Sequence, residues 1–206
     1  MSAAMSLSVV PVPVQMQALP RDKRGYPVPY IVQYDREGKP LFAVNDASKR
    51  QQVLHGDRCG ICGGKLTRAR WLVGGPAAAF HAHGAYIDPP MHGECVHYAL
   101  QVCPYLAAPS YGKEVGPVQA ARAKISVVED PQVTKERPPL FVAVQYVGQS
   151  FVMEDMFGIP LIKYVKPKRP YRRVEYWLQR QLLDPQVGER MAAEHVEDLS
   201  ARLPQP

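Results

Sequence analysis

The chain has 206 residues, of which 46% are hydrophobic, and it carries a formal net charge of +6. This hydrophobic content is ordinary for a globular protein, so a core can form, and no apolar run approaches the length of a membrane span. The 21 prolines predict many loops and short elements. The pI of about 9.2 favours acidic partners such as nucleic acid, although many basic proteins bind none.

The first twenty residues do not have the pattern of a secretory signal. They lack a basic start, and Pro11, Pro13 and Pro20 interrupt any helical apolar region. Four cysteines are present: Cys59, Cys62, Cys95 and Cys103. An even count could indicate disulfides in a secreted chain, but a cytoplasmic location and a metal role for the thiols fit better.

The N-terminal region is predicted as a flexible tail over residues 1–25, followed by two strands and a helix. β-like composition predicts strands over residues 28–34 and 41–44. Asp46 is a candidate N-cap for a short helix through Leu54, which would deliver the chain to the first cysteine pair.

Two pairs of candidate metal ligands dominate the sequence: Cys59 with Cys62, and His92 with Cys95. Each pair has two residues between its members, a spacing that lets both side chains converge on one ion. The sequence therefore predicts one structural Zn²⁺ per chain, bound by these four side chains.

The segment between the pairs is predicted as a β-hairpin. Residues 65–73 and 79–87 form its strands, and Gly74-Gly75-Pro76 forms its turn. A helix from about residue 92 to about residue 102 follows Pro89-Pro90. The order of knuckle, hairpin and helix is that of a treble-clef zinc finger.

The fourth ligand has alternatives. Cys103 competes with His92, but in a helix it would lie about 12 Å from Cys95, too far for both to reach one ion easily. A buried core thiol is the simpler interpretation of Cys103. The remaining candidates are His81, His83 and His97.

The region 21–109 resembles a group of small phage and bacterial proteins of uncharacterised activity. The resemblance lies in Arg24-Gly-Tyr-Pro-Val-Pro29, Cys59-Gly-Ile-Cys62-Gly-Gly, Val73-Gly-Gly-Pro76, Asp88-Pro-Pro-Met-His-Gly-Glu-Cys95 and Tyr98-Ala-Leu-Gln-Val-Cys-Pro104. It implies a treble-clef-like, HNH-like zinc motif and little about activity.

The similarity to HNH nucleases raises an alternative function, a divergent metal-dependent nuclease. Such a site needs a histidine general base and a second-metal cage. His81, His83, Asp88 and His97 are the candidates, but the usual histidine pair and the following asparagine are absent. Non-catalytic histidines are therefore the favoured interpretation, and no catalytic residue is assigned.

The C-terminal half is predicted as a connector over residues 110–137, then a β-hairpin and a helical hairpin over residues 138–206. Residues 140–147 are a strong strand candidate, with a return through residues 151–153 and 161–165. Apolar faces predict two helices, the first through Val174, Trp177, Leu178 and Leu182, the second through Ala192, Val196, Leu199 and Leu203.

A basic segment joins these predicted elements. It contains six cations and two tyrosines without an acid: the cations are Lys163, Lys166, Lys168, Arg169, Arg172 and Arg173. Cations neutralise phosphates and tyrosines stack on bases, so the segment is predicted to contact nucleic acid or an acidic protein surface.

The sequence as a whole predicts an α+β protein with a treble-clef-like domain over residues 26–109. The predicted function is a non-enzymatic, zinc-stabilised binding module for nucleic acid or for a nucleic-acid-handling complex, for example a phage factor acting on a host target. No membrane partner is expected, and the oligomeric state is left open.

Overall fold

A computed structural model describes residues 10–107, 138–156 and 158–202, which form a mixed α+β fold. The strands are β1 (Val32–Tyr34), β2 (Pro40–Asn45), β3 (Arg70–Gly74), β4 (Phe141–Tyr146), β5 (Gln149–Met156), β6 (Ile159–Pro167), β7 (Arg173–Leu178) and β8 (Gln181–Leu182). The α-helices are α1 (Ala47–His55), α2 (Pro76–Phe80), α3 (Gly93–Val102), α4 (Pro104–Ala107) and α5 (Pro185–Arg202). None of the described helices is both long and apolar enough to span a membrane. The predicted connector, residues 110–137, lies outside the described residues.

The N-terminal segment packs against the core from Val10 onward, which corrects the flexible tail predicted there. A 3-10 helix spans Val14–Met16, and Met16 is 2% exposed. Val10, Val12 and Leu19 also pack against the buried cluster that contains Met16. The contacts of these apolar side chains with the core hold the segment against the protein. Residues 1–9 lie outside the described part of the chain.

The predictions for the next elements are confirmed. β1 and β2 pair antiparallel, and α1 begins after Asp46, whose side chain accepts a hydrogen bond from the Lys49 amide at 2.9 Å. This N-cap satisfies one of the free amides of the first helical turn.

The hairpin predicted between the ligand pairs is wrong in its second strand. Residues 76–80 form α2, because Pro76 occupies the first turn and three alanines, the strongest helix formers, follow it. β3 pairs instead with β4, from Arg70 opposite Tyr146 to Gly74 opposite Val142. The feature most similar to the predicted hairpin is a single antiparallel bridge between Trp71 and Met91.

The main sheet is antiparallel, with strand order β3-β4-β7-β8, and separates two buried clusters. Side chains alternate between the faces of a strand, so neighbouring residues belong to different clusters. One face packs against the ligand-bearing region and contributes Trp71, Val73, Phe141, Ala143 and Trp177. The other packs against α2, α5 and β6 and contributes Leu72, Val142, Val144, Tyr146, Val174 and Tyr176.

The C-terminal prediction is partly confirmed. α5 corresponds to the second predicted helix, but the predicted hairpin is wrong in its pairing. Among the described strands, β4 pairs with β3 and β7 instead of with the return segment, and β5 and β6 pair with each other. The first predicted helix is wrong, because Arg173–Leu178 is strand β7 and pairs with β4 and β8. Its residues also alternate with a period of two, and this β pattern prevails over the helical spacing when β4 is available as a partner.

Arg50 joins α1 to β6 and to the chain before α3. The residue is 9% exposed, and its guanidinium donates to the carbonyls of Ile87, Ile162 and Lys163 at 2.6–2.8 Å. The neighbouring Gln51 exchanges two hydrogen bonds with the backbone of Ile162, at 2.9 and 3.0 Å. These bonds satisfy carbonyls at a register shift in the β5–β6 pair, where the ladder is irregular.

We expect Arg50→Met to lower the free energy of unfolding by about 3 kcal/mol. The methionine fills similar space but leaves buried carbonyls without donors, and each unsatisfied group costs about 1–3 kcal/mol. Urea unfolding followed by circular dichroism measures the change. Arg36→Met, at an exposed position of the β1–β2 turn, is the matched control. Equal stability of the two variants would contradict the role given to Arg50.

Candidate metal centre

α3 presents the second ligand pair because its first residue follows His92 directly. His92 is the N-cap residue, with extended backbone, and Cys95 lies in the first turn. Backbone hydrogen bonds of 2.9 and 3.0 Å between Trp71 and Met91 fix this helix start beside β3. The predicted helix start is thus confirmed, and its position depends on β3.

The first ligand pair lies in a tight knuckle closed by its own backbone. The Cys59 amide donates to the Gly64 carbonyl and the Gly63 amide donates to the Cys59 carbonyl, both at 2.8 Å. Gly63 has φ +74°, and a Cβ there would lie 2.9 Å from the ring of Tyr30. Both the left-handed backbone and the close approach require glycine at this position.

The structure brings all four predicted ligands together. One ligand atom each from Cys59, Cys62, His92 and Cys95 lies within 4.8 Å of the others, close enough to hold a single metal ion. The Cys62 Sγ and His92 Nδ1 are 3.3 Å apart, and His92 Nε2 lies 2.9 Å from the Lys65 carbonyl oxygen. With its proton on Nε2, His92 donates to this carbonyl and offers Nδ1 to the ion, the usual support for a metal-binding histidine.

The three thiols share protons through mutual hydrogen bonds. Hydrogen bonds from Cys59 and Cys95 hold the pKa of Cys62 well below its ordinary value, and the same bonds raise the pKa of Cys59 and Cys95. A bound divalent cation would replace the thiol protons and offset most of the charge of three thiolates.

The ligand cluster is largely closed to solvent. Cys59 and Cys95 are completely buried, while Cys62 and His92 are partly exposed. The two buried cysteines and the total of four protein ligands provide a complete tetrahedral set, whereas a catalytic site keeps a position open for water.

The competing ligands lie elsewhere. Cys103 is the C-cap residue of α3 and does not belong to the four-residue group. The His83 amide donates to His81 Nδ1 at 3.2 Å, and both histidines lie in a turn where the sequence predicted a strand. Within the described residues, no second group of metal-binding side chains accompanies these histidines.

His97 belongs to a polar cluster that the sequence does not reveal. Glu175 on β7 is 5% exposed and accepts hydrogen bonds from His97 and Trp177, at 2.8 and 3.1 Å. Its other oxygen pairs with Arg173 at 2.8 Å. Glu175 lies opposite Ala143, on the sheet face that α3 covers, and this small residue leaves room for the imidazole. The strand pattern of residues 173–178 is the signal that would have placed Glu175 on this face.

Burial alone raises the pKa of Glu175, but the bonds from His97 and Trp177 and the charge of Arg173 outweigh it, so the pKa lies below its ordinary value. The Glu175 carboxylate is therefore stabilised by folding.

The six cations of the basic segment divide into three classes. Two have acidic partners from other positions: Lys163 pairs with Glu154 at 3.2 Å, and Arg173 pairs with Glu175. Arg169 donates to the carbonyls of Ala79 and His81. In the part of the chain that the structure describes, three side chains form no ion pair, those of Lys166, Lys168 and Arg172.

Comparisons with protein-family models, with curated proteins and with solved structures give no significant match. The assignment of the site consequently rests on its own geometry.

We expect the refolded protein to bind one Co²⁺ per chain, with the absorption of a tetrahedral thiolate site, and His92→Ala to weaken this binding by at least tenfold. The variant loses one ligand and the support from Lys65. Cobalt titration followed by visible absorption measures both quantities. Cys103→Ser is the control and should bind as the unmodified chain does. If Cys103→Ser weakened cobalt binding and His92→Ala did not, Cys103 rather than His92 would be the fourth ligand.

We expect the stability contributed by Glu175 to be present above pH 4.5, its ordinary pKa, and to disappear as the pH falls through the lower folded-state value. Between pH 6 and pH 3, Glu175→Gln should therefore lose less stability than the unmodified chain. Urea midpoints at intervals across this range measure the difference. Glu37→Gln, at an exposed turn position, should follow the unmodified chain; if Glu175→Gln does the same, the carboxylate is not stabilised by its partners.

Proposed function

We propose that the protein is a non-enzymatic nucleic-acid-binding module whose fold is stabilised by one zinc ion. The observation that carries the binding proposal is the set of cations without acidic partners on the basic segment, next to an aromatic side chain. The zinc proposal is supported by the ligand set, since three cysteines and one histidine form a common structural zinc site.

The metal would act on the core as well as on the knuckle. Cys59 and Cys95 belong to the same buried cluster as Trp71, Val96 and Leu100. Without a metal, the buried Cys59 and Cys95 contribute only neutral thiols to that cluster, and the knuckle and α3 are not joined through a common ion. With zinc bound, the knuckle, α3 and the β3 edge are joined at one point.

The fold of the ligand-bearing region resembles a treble clef in its order of knuckle and helix. The hairpin between them is replaced by the Trp71–Met91 bridge and by the pairing of β3 with β4. We therefore interpret the region as a treble-clef-like module completed by a strand from the C-terminal half.

Nucleic acid is the partner that best matches the basic segment. Lys168 and Arg172 are exposed, and Lys166 and Tyr171 are partly exposed beside them. Cations without acidic partners release bound counterions when they meet phosphates, and a tyrosine ring provides a stacking surface. Additional positive charge lies near the knuckle on Arg58 and Lys65, whose side chains donate to the backbone carbonyls of Gly63 and Gly56 and form no ion pair within the described ranges.

The nuclease alternative finds no supporting geometry. His81 and His83 contact each other, and among the described residues they belong to no group of three or more histidine, cysteine or acidic side chains that could hold a metal. His97 is engaged by Glu175 between two tryptophans. The non-enzymatic proposal is therefore preferred.

We expect chelation of the metal to lower the melting temperature by about 10 °C or more. Loss of several kcal/mol of metal-linked stability has an effect of this size in a chain of about 200 residues. Differential scanning calorimetry with and without a chelator, followed by zinc addition, measures the change. An unchanged melting temperature in a sample shown to be free of metal would refute the structural role.

We expect the chain to bind a fluorescein-labelled single-stranded oligonucleotide, with an affinity that falls steeply as salt increases. The double variant Lys168→Glu and Arg172→Glu should weaken binding by at least tenfold. It should also reduce the slope of log K against log salt by about 0.7 for each lost phosphate contact.

Fluorescence anisotropy measures both effects, and Arg36→Glu with Lys39→Glu, in the exposed β1–β2 turn, provides the same charge change elsewhere. If the two double variants weakened oligonucleotide binding equally, the basic segment would contribute to binding only through the net charge of the chain. Absence of oligonucleotide binding would refute the nucleic-acid proposal and leave an acidic protein surface as the partner to test.

A further inference from the structure

We infer that the cleft between residues 81–84 and the basic segment is a phosphate-binding subsite. This inference rests on the proposed function and specifies it, because it assigns one backbone phosphate of the nucleic acid to a defined place. The cleft has a volume of about 270 Å³. It is smaller than the pockets that enclose drug-sized ligands and suits a compact charged group.

The lining of the cleft is basic and aromatic. Its six described lining residues include two cations and no acid: Ala82, Gly84, Lys166, Pro167, Arg169 and Tyr171. A concave surface with charge of one sign concentrates the field more than an exposed side chain does. Lys166 brings an ammonium without an ion-pair partner among the described residues, so the cleft has a net attraction for an anion.

Arg169 is held in place before any ligand binds. Its Nη2 donates to the Ala79 and His81 carbonyl oxygens at 2.7 and 2.9 Å. These carbonyls would repel an anion, and the guanidinium covers them. Its Nε and Nη1 have no hydrogen-bond partner among the described residues and are available to a phosphate oxygen. A cation fixed in this way loses little entropy on binding.

Tyr171 is fixed through the same carbonyl. Its hydroxyl donates to the Ala79 oxygen at 2.7 Å, and the Arg169 guanidinium carbon lies 5.9 Å from the centre of its ring. The two side chains thus form one preorganised wall of the cleft, anchored to the end of α2.

The rest of the lining is also constrained. Gly84 permits the turn to pack on α2, because a Cβ there would lie 2.5 Å from the Ala78 carbonyl oxygen. Lys166 follows Val165, whose backbone exchanges hydrogen bonds of 2.8 and 2.9 Å with Tyr86. The lining of the cleft is therefore positioned by contacts within the protein rather than by the ligand.

Inorganic pyrophosphate is the probe that tests the cleft without nucleic acid. We expect the full-length, metal-loaded chain to bind it, and Lys166→Gln to weaken binding about tenfold, since hydrogen bonds to charged groups are worth about this factor. Lys39→Gln, which removes an exposed lysine far along the sequence in the β1–β2 turn, is the charge control. Isothermal titration calorimetry at low salt gives both affinities.

Substitution of Ala82 tests the cleft without removing any of the hydrogen bonds that shape it. It is exposed on the rim, so Ala82→Glu would add a carboxylate to the cleft, and Ala82→Gln would add the same bulk without charge. We expect Ala82→Glu to abolish pyrophosphate binding and Ala82→Gln to retain it within a few fold. The same four variants are then compared with the labelled oligonucleotide, where Lys166→Gln should lower the salt slope by about 0.7.

The results separate the two proposals. Pyrophosphate binding that depends on Lys166 and Ala82, without oligonucleotide binding, supports the subsite and refutes the proposed function. Oligonucleotide binding with no pyrophosphate binding overturns the subsite and leaves the proposed function standing. Pyrophosphate binding that Lys166→Gln and Lys39→Gln change equally, or that Ala82→Glu leaves intact, also overturns the subsite.

Discussion

The pairing of β3 with β4 is the constraint on which the remaining structure depends. β4 is buried on both faces, with Val142, Ala143 and Val144 fully inaccessible, so it must be covered on each side. β3 supplies one neighbouring strand, and its far edge carries the bridge to Met91 that places α3. Arg70, at the start of β3, pairs with Asp57 at 2.7 Å just before the knuckle. Separation of β3 from β4 would therefore disturb the sheet, the helix start and the approach to the first ligand pair together.

The two faces of the sheet are stabilised by different chemistry. The face toward α2 and α5 is mainly aliphatic and aromatic, with Leu72, Leu140 and Val165 nearly inaccessible. The face toward α3 holds the thiols, and Glu175 lies on it as well. Polar groups in such a place require partners with good geometry, because an unpaired buried charge is costly. Glu175 has three donors, and a metal ion would give the thiolates the equivalent compensation. The face toward α3 is thus stabilised by hydrogen bonds and ion pairs as well as by apolar packing.

The sequence predicts the parts of this structure that are determined locally. The cysteine and histidine spacing and the Asp46 cap both depend on residues close in the chain. The partner of β3 does not, because β4 follows almost seventy residues later, and short connections make a hairpin the better expectation. The errors at α2 and β7 are different. The run Pro76-Ala-Ala-Ala-Phe80 carries a helix signal that the preceding glycines obscured. In residues 173–178, helical and strand periodicities coexist, and only the presence of β4 decides between them.

The number of basic residues in the sequence likewise overstates the number of cations that the fold leaves without a partner. Six cations of the basic segment look equivalent in the sequence, yet each has its own environment in the fold. Glu175 lies two residues after Arg173 on the same face of β7. Its buried carboxylate pairs with Arg173 and also contacts His97. Arg169 remains charged while it binds two carbonyls, so it stabilises the turn at His81 and still attracts anions. In the proposed function, the cations that folding leaves without acids would contact the partner, and the number of basic residues alone is a poor measure of that contact surface.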